Sequence, residues 1–134
     1  MTETARPRLA TQRAMKVLVV EDNIINQRLV VGLLTKLGHT GVVVGDGEKA
    51  LRALAKLKFD VVLMDVMMPV MDGMAALRAI RENEQIQGGH VPIIIATSHD
   101  EPGDVARFKK AGADGYLPKP ISVDLLQSEL ARFA

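Results

Sequence analysis

The chain has no cysteine and no tryptophan, and aromatic residues make up only 3% of its 134 residues. Without cysteine there can be no disulfide, no thiolate metal ligand and no cysteine nucleophile. So few aromatic rings argue against a stacking platform for single-stranded nucleic acid. A surplus of charge is missing as well. The 17 basic and 16 acidic residues give a formal net charge of +1, which offers little attraction to nucleic acid or to an anionic membrane. No apolar run approaches the roughly 18 residues that a membrane span needs, so neither nucleic-acid binding nor membrane insertion is expected. The small imbalance that exists is local. Residues 1–14 carry Arg6, Arg8 and Arg13 against Glu3, leaving 14 basic and 15 acidic residues in the rest. That leader lacks the apolar core of a signal peptide, and it reads as a flexible arm on a cytoplasmic protein.

What is present suits one globular domain over residues 15–134. Hydrophobic residues are 48% and charged residues 25%, ordinary values for a packed domain of this length. Short β-branched runs recur at Lys16–Val20, Gly41–Val44, Val61–Met64, Pro92–Ala96 and Gly115–Leu117. Three are apolar throughout, as strands covered on both faces are. Between them lie stretches of helical spacing. Val30, Leu33, Leu34 and Leu37 form one stripe with Gly38 as its stop, and Ala50, Ala53, Leu54 and Leu57 form a second. Met74, Leu77 and Ile80 make a third, with Asp72 placed as a cap. A fourth helix is expected between Pro102 and Gly112, and a fifth after Ser122. The polar stretch Glu82–His90 reads as a surface connection. Strand and helix alternating five times imply a parallel sheet with helices on both faces.

In such a sheet, ligands bind beyond the carboxyl ends of the strands. Glu21 and Asp22 follow the first strand, Asp65 follows the third, Thr97 ends the fourth, and Lys119 follows the fifth between Pro118 and Pro120. The separations of 43, 32 and 22 residues from Asp22 through Asp65 and Thr97 to Lys119 return each of them to the same edge. If strands 1, 3, 4 and 5 are neighbours there, the three acids, the hydroxyl and the amine converge. Three carboxylates and one ammonium leave a formal charge of minus two, which a divalent cation cancels. The donors are hard oxygens without histidine, which favours Mg²⁺, with Mn²⁺ tolerated. Mg²⁺ keeps several waters and takes one or two carboxylates, so an anion has room beside it.

These residues bear a specific resemblance. Val19-Val20-Glu21-Asp22-Asn23, Leu63-Met64-Asp65 running on to Met71-Asp72-Gly73, Pro92–Thr97, and Ala113–Pro120 resemble, in order and spacing, the response-regulator receiver domain of two-component signalling. The Glu-Asp-Asn start and the Met-Met-Pro-Val-Met-Asp-Gly loop look most like receivers of hybrid histidine kinases. The resemblance covers about residues 15–134 and implies a flavodoxin-like (βα)5 doubly wound parallel sheet with strand order 2-1-3-4-5 and a cis Lys119–Pro120 bond.

It also implies roles. Asp65 matches the phosphoacceptor, phosphorylated by a sensor histidine kinase or a histidine phosphotransfer protein. Asp22 would ligate Mg²⁺, Glu21 would act through a bound water, and Met67 would contribute its backbone carbonyl. Lys119 and Thr97 would contact phosphoryl oxygens, with the amides of Val66 and Ser98 as further donors. Thr97 and Tyr116 match the switch pair that changes an output face for a downstream protein target. Ser98 stands where the family often has alanine, and Met67 and His99 occupy positions that influence phosphoryl lifetime. The expected protein is therefore a phosphoacceptor that assists its own phosphorylation and dephosphorylation, not an enzyme acting on other substrates, and it is either a receiver with no attached output domain or the receiver part of a longer hybrid kinase.

Three other readings stand beside it. A Mg²⁺-dependent phosphatase with an aspartate nucleophile usually carries that nucleophile after strand 1 with a second aspartate two residues on, a pattern absent from Glu21-Asp22-Asn23-Ile24. A flavodoxin-like cofactor binder needs a Ser/Thr/Gly phosphate loop where this chain has two acids. A degenerate receiver acting as a scaffold would have lost part of the residue set that is intact here.

Overall fold

The computed structural model describes residues 14–65, 73–97 and 102–134. Strands β1 (Lys16–Val20), β2 (Thr40–Val44), β3 (Val61–Asp65), β4 (Ile93–Thr97) and β5 (Gly115–Pro118) alternate with helices α1 (Ile24–Lys36), α2 (Gly47–Lys56), α3 (Gly73–Gln87), α4 (Pro102–Ala111) and α5 (Val123–Ala131). The strands form one sheet in the order β2-β1-β3-β4-β5, and every neighbouring pair is parallel. The expected fold is borne out. The N-terminal arm up to residue 13 and the Asp72 cap lie outside the described residues.

Side chains alternate between the two faces of a strand, and here both faces are covered. Leu18, Val20, Val62, Met64, Ile93 and Ile95 pack with Ala50 of α2, Ala76, Leu77 and Ile80 of α3, and Phe108 of α4. Val17, Val19, Val61, Leu63, Ile94, Ala96 and Leu117 pack on the other face with Val30 and Leu34 of α1 and Leu126 and Leu130 of α5. Each fully buried aliphatic side chain contributes about 1.5–3 kcal/mol, so the three central strands anchor the domain. The expected helix stripes face the sheet except at Leu57, which follows the last residue of α2 in extended backbone and is 49% exposed; Gly38, at φ 88°, takes the left-handed conformation that ends α1.

One stretch differs from the sequence reading. Residues 82–87 are not a surface connection but the last turns of α3. Their glutamates and glutamines are good helix formers, and Arg81 fixes the end of the helix. Its guanidinium donates to Glu84 Oε1 (2.6 Å), Asp114 Oδ2 (2.6 Å), the Val91 carbonyl (2.9 Å) and the Gly112 carbonyl (2.9 Å). Gly112 sits at φ 115°, and a Cβ there would meet Arg81 Cγ at 2.8 Å, so only glycine lets the arginine lie across the end of α4.

The amino edge of the sheet is closed by side chains from neighbouring connections. The Met15 amide donates to His39 Nδ1 (3.0 Å), the Lys16 amide to Asp60 Oδ2 (2.7 Å), and the Ile93 amide to Asp114 Oδ2 (2.9 Å). These bonds satisfy the first strand donors, which would otherwise be costly to bury. They leave the carboxyl edge as the place where polar groups converge for another purpose.

His39 is buried, and burial lowers its pKa from the usual 6.5. Its Nδ1 accepts a bond only when that nitrogen is unprotonated. The unfolded chain takes up a proton near 6.5 while the folded chain resists it, so this contribution to stability is present above pH 6.5 and is lost as pH falls below it. Denaturant midpoints measured at pH 7.5 and 5.5 should fall more steeply for the parent protein than for His39→Gln. Equal slopes would show that His39 carries no such linkage.

Candidate functional site

The carboxyl edge is built by extending three rows of side chains that already share a face. Val17 and Val19 lead to Glu21, Val61 and Leu63 lead to Asp65, and Gly115 and Leu117 lead to Lys119. The pleat therefore turns all three polar residues toward the side covered by α1 and α5. The Glu21 amide continues the β1–β2 ladder by donating to the Val44 carbonyl at 3.1 Å, and the Lys119 amide does the same toward the Thr97 carbonyl at 2.9 Å. The Lys119–Pro120 peptide bond is cis, as the resemblance implied.

The geometry brings opposite charges into contact. Lys119 Nζ lies 3.1 Å from Asp65 Oδ1 and 3.6 Å from Glu21 Oε1. Glu21 and Asp65 are each only 5% exposed. Carboxylate oxygens of Glu21, Asp22 and Asp65 all lie within 4.8 Å of one another. Burial, above all, pushes the Glu21 carboxyl above its usual range. A hydrogen bond from the Asn23 amide (3.0 Å) opposes that, the charge of Asp65 adds to it, and Lys119 again opposes it. One ammonium thus offsets part of a crowded negative charge.

Three hard carboxylate donors within reach of one another, one of them (Asp22) open to solvent, fit a small divalent cation of the Mg²⁺ type. Such an ion, when bound, neutralises excess negative charge and draws in an anionic oxygen. Met67, the amides of Val66 and Ser98, and His99 lie outside the described residues.

Thr97 and Tyr116 belong to the opposite face. Asp65 is in register with Ala96, and Ile95 with Tyr116, so Thr97 follows Ile95 on the side of α2, α3 and α4. Thr97 is 1% exposed, and Tyr116 is half-buried against the core cluster of that face. The hydroxyl therefore ends the row beside the one from which Tyr116 projects. The sheet edge gathers the acids, the amine and the hydroxyl as the spacing predicted, with the hydroxyl approaching from the other side of the sheet.

The sequence reading missed two features on α1. Asn23 is its N-cap, accepting from the amides of Ile25 (2.9 Å) and Asn26 (3.0 Å), so Glu21 and Asp22 are left free of that task. Ile24, Ile25 and Leu29 are 60%, 72% and 52% exposed on the outer side of the helix, beside the acids. The signal was apolar residues standing opposite the Val30–Leu34 stripe on the same helix.

Comparison with known proteins agrees with this geometry. The profile of the response regulator receiver domain family matches residues 17–131. A hybrid signal transduction histidine kinase of Dictyostelium discoideum is 45% identical over 116 residues, which are 83% of this chain and 7% of that protein. The sensor protein GacS of Pseudomonas syringae is 43% identical over 84% of this chain and 12% of its own length. The chain thus spans a small part of these curated relatives. The receiver domain of a Pseudomonas aeruginosa sensor histidine kinase, solved with a magnesium ion coordinated in its active-site cleft, is 38% identical. It superposes with a TM-score of 0.80 over 90% of this chain and 98% of that one. The receiver domain of the yeast response regulator Ssk1, solved in complex with the histidine phosphotransfer protein Ypd1, gives a TM-score of 0.84 at 26% identity, over 90% of this chain and 88% of that one. Sequence profile, strand order and the acidic edge coincide, and the chain belongs to the response regulator receiver domain family.

Proposed function

We propose that Asp65 is the phosphoacceptor and that the protein carries a phosphorylation signal from a histidine kinase or a histidine phosphotransfer protein to a downstream protein in the cytoplasm. The observation that carries the reading is the contact of Lys119 Nζ with Asp65 Oδ1 at 3.1 Å within a trio of carboxylates. A carboxylate oxygen of Asp65 attacks the phosphorus of a phosphohistidine. The bond to the imidazole nitrogen breaks, and the imidazole leaves with the bonding pair. Asp22 and Asp65 would hold Mg²⁺ or Mn²⁺ directly, Glu21 would hold it through a bound water, and the Met67 carbonyl would complete the protein's ligands.

Lys119 pairs with a phosphoryl oxygen, and the Thr97 hydroxyl donates to another. Catalysis here is positioning and charge stabilisation. The same residues assist hydrolysis of the product, so the protein limits the life of its own signal. The donor approaches beside α1, where Ile24, Ile25 and Leu29 offer an apolar surface next to the acids. The solved complex of a receiver with a phosphotransfer protein supports a partner of that class.

Phosphorylation adds about one further negative charge and three acceptor oxygens. Thr97 then donates toward the acyl phosphate, and Tyr116, on the same face of the sheet, moves into the space released. The surface of α4, β5 and α5 is thereby biased between two shapes that a target distinguishes.

Incubated with acetyl phosphate and Mg²⁺, the parent protein should gain one phosphoryl group by mass. Asp65→Asn should gain none, and chelation of the metal should abolish the gain. Labelling of Asp65→Asn to the parent extent would refute the assignment. Lys119→Met should slow phosphorylation about a hundredfold, the order expected on removing one charged stabiliser of a transition state; a rate within threefold of the parent would contradict the role given to Lys119. Thr97→Ala should still accept phosphate but lose most of the phosphorylation-dependent gain in affinity for a target. An undiminished gain would remove Thr97 from the switch.

A further inference from the structure

The geometry points to Gln27 as a positioning residue that sets the Mg²⁺ affinity of the acidic edge, an inference that rests on the metal-holding role proposed for Glu21 and Asp22. Gln27 occupies an odd place for a polar residue. With Val30, Val31 and Leu34 it makes the i, i+3, i+4, i+7 stripe by which α1 faces the sheet. It is half-buried, and its side-chain Nε2 donates to the Glu21 carbonyl at 2.6 Å. The head of an apolar stripe has been given to an amide, and that amide is spent on the backbone of the connection between β1 and α1.

That connection is three residues long and carries two of the three acids. Their mutual repulsion works to spread it. Its other backbone ties lie at its two ends: the Glu21 amide donates to the Val44 carbonyl, the Asn23 amide to Glu21 Oε2, the Gln27 amide to the Asn23 carbonyl, and the Ile25 and Asn26 amides to Asn23 Oδ1, while the Glu21 and Asp22 side chains interact with each other. None of these fixes the peptide plane between Glu21 and Asp22. The Gln27 side chain does, because the carbonyl it holds and the amide of Asp22 belong to one rigid plane. Fixing that plane fixes the direction in which Asp22 leaves the backbone. Asp22 is exposed, so its carboxylate is aimed by its backbone more than by packing. Gln27 meets the site only through the Glu21 backbone carbonyl, not through a carboxylate that would hold the metal. It acts through Asp22.

Gln27→Met tests this, since methionine matches glutamine in length and helix propensity and suits an apolar stripe. Calorimetric titration with MgCl2 should show the Kd rising about three- to tenfold, the range expected from losing one net hydrogen bond. Thermal stability without metal should stay level or rise. The Mg²⁺ concentration for half-maximal acetyl phosphate labelling should rise by the same factor, with the rate recovering at saturating Mg²⁺. In metal-free protein, the amides of Asp22 and Asn23 should exchange with solvent faster than in the parent. A Kd within twofold of the parent, or a labelling deficit that saturating Mg²⁺ does not repair, would overturn the inference. A parent protein that binds no Mg²⁺ would instead overturn the metal reading, and the exchange comparison would still decide whether Gln27 holds the loop.

Discussion

Three carboxylates at the end of a parallel sheet repel one another, and the rest of this molecule is arranged around holding them there. Glu21 and Asp65 are buried at that edge, with Lys119 the cation between them. Burying a charge is costly unless it is paired, and a single ammonium pairs two buried acids with a third nearby. The arrangement is therefore poised rather than neutral. It gains from a divalent cation, and with that cation it gains from an anion placed against Lys119. A receiver domain needs this poise, because the aspartate must accept a phosphoryl group and later give it up.

The sheet supplies both the site and the route out of it. Glu21, Asp65 and Lys119 end rows on the face under α1 and α5, whereas Thr97 and Tyr116 belong to the face under α2, α3 and α4. In the proposed mechanism an event at Asp65 is read by a hydroxyl from the adjacent strand whose row lies on the far side. That crossing links the chemistry on the α1 and α5 side to α4 on the far side, so that the output surface of α4, β5 and α5 takes in both faces of the sheet. The amino edge is tied by His39, Asp60 and Asp114 to strand amides, so one end of the sheet is rigid and the other is left to respond.

Much of this was legible in the sequence. Strands buried on both faces read as unbroken apolar runs, and polar residues directly after them stand out against that background. That contrast located Glu21, Asp65, Thr97 and Lys119, and the family resemblance supplied the strand order. The helix stripes were legible because their period is strict. The end of α3 was not, since Glu82–Gln87 is polar on most sides and its helical state depends on Arg81, whose partners are brought together only by the fold. The cap of α1 was ambiguous because Asp22 and Asn23 are both capping types in succession. Gln27 escaped notice because a single amide in an apolar stripe has no meaning until the carbonyl opposite it is known. The exposed Ile24, Ile25 and Leu29 were hidden by the stronger stripe on the same helix.

The most direct measurement is a structure or an amide chemical-shift map of the protein with beryllofluoride, an acyl phosphate mimic, with and without Mg²⁺. The account predicts one adduct on Asp65, formed only with Mg²⁺, in contact with Lys119 and accompanied by changes at Thr97 and Tyr116. An adduct elsewhere, an adduct indifferent to Mg²⁺, or none at all would contradict it.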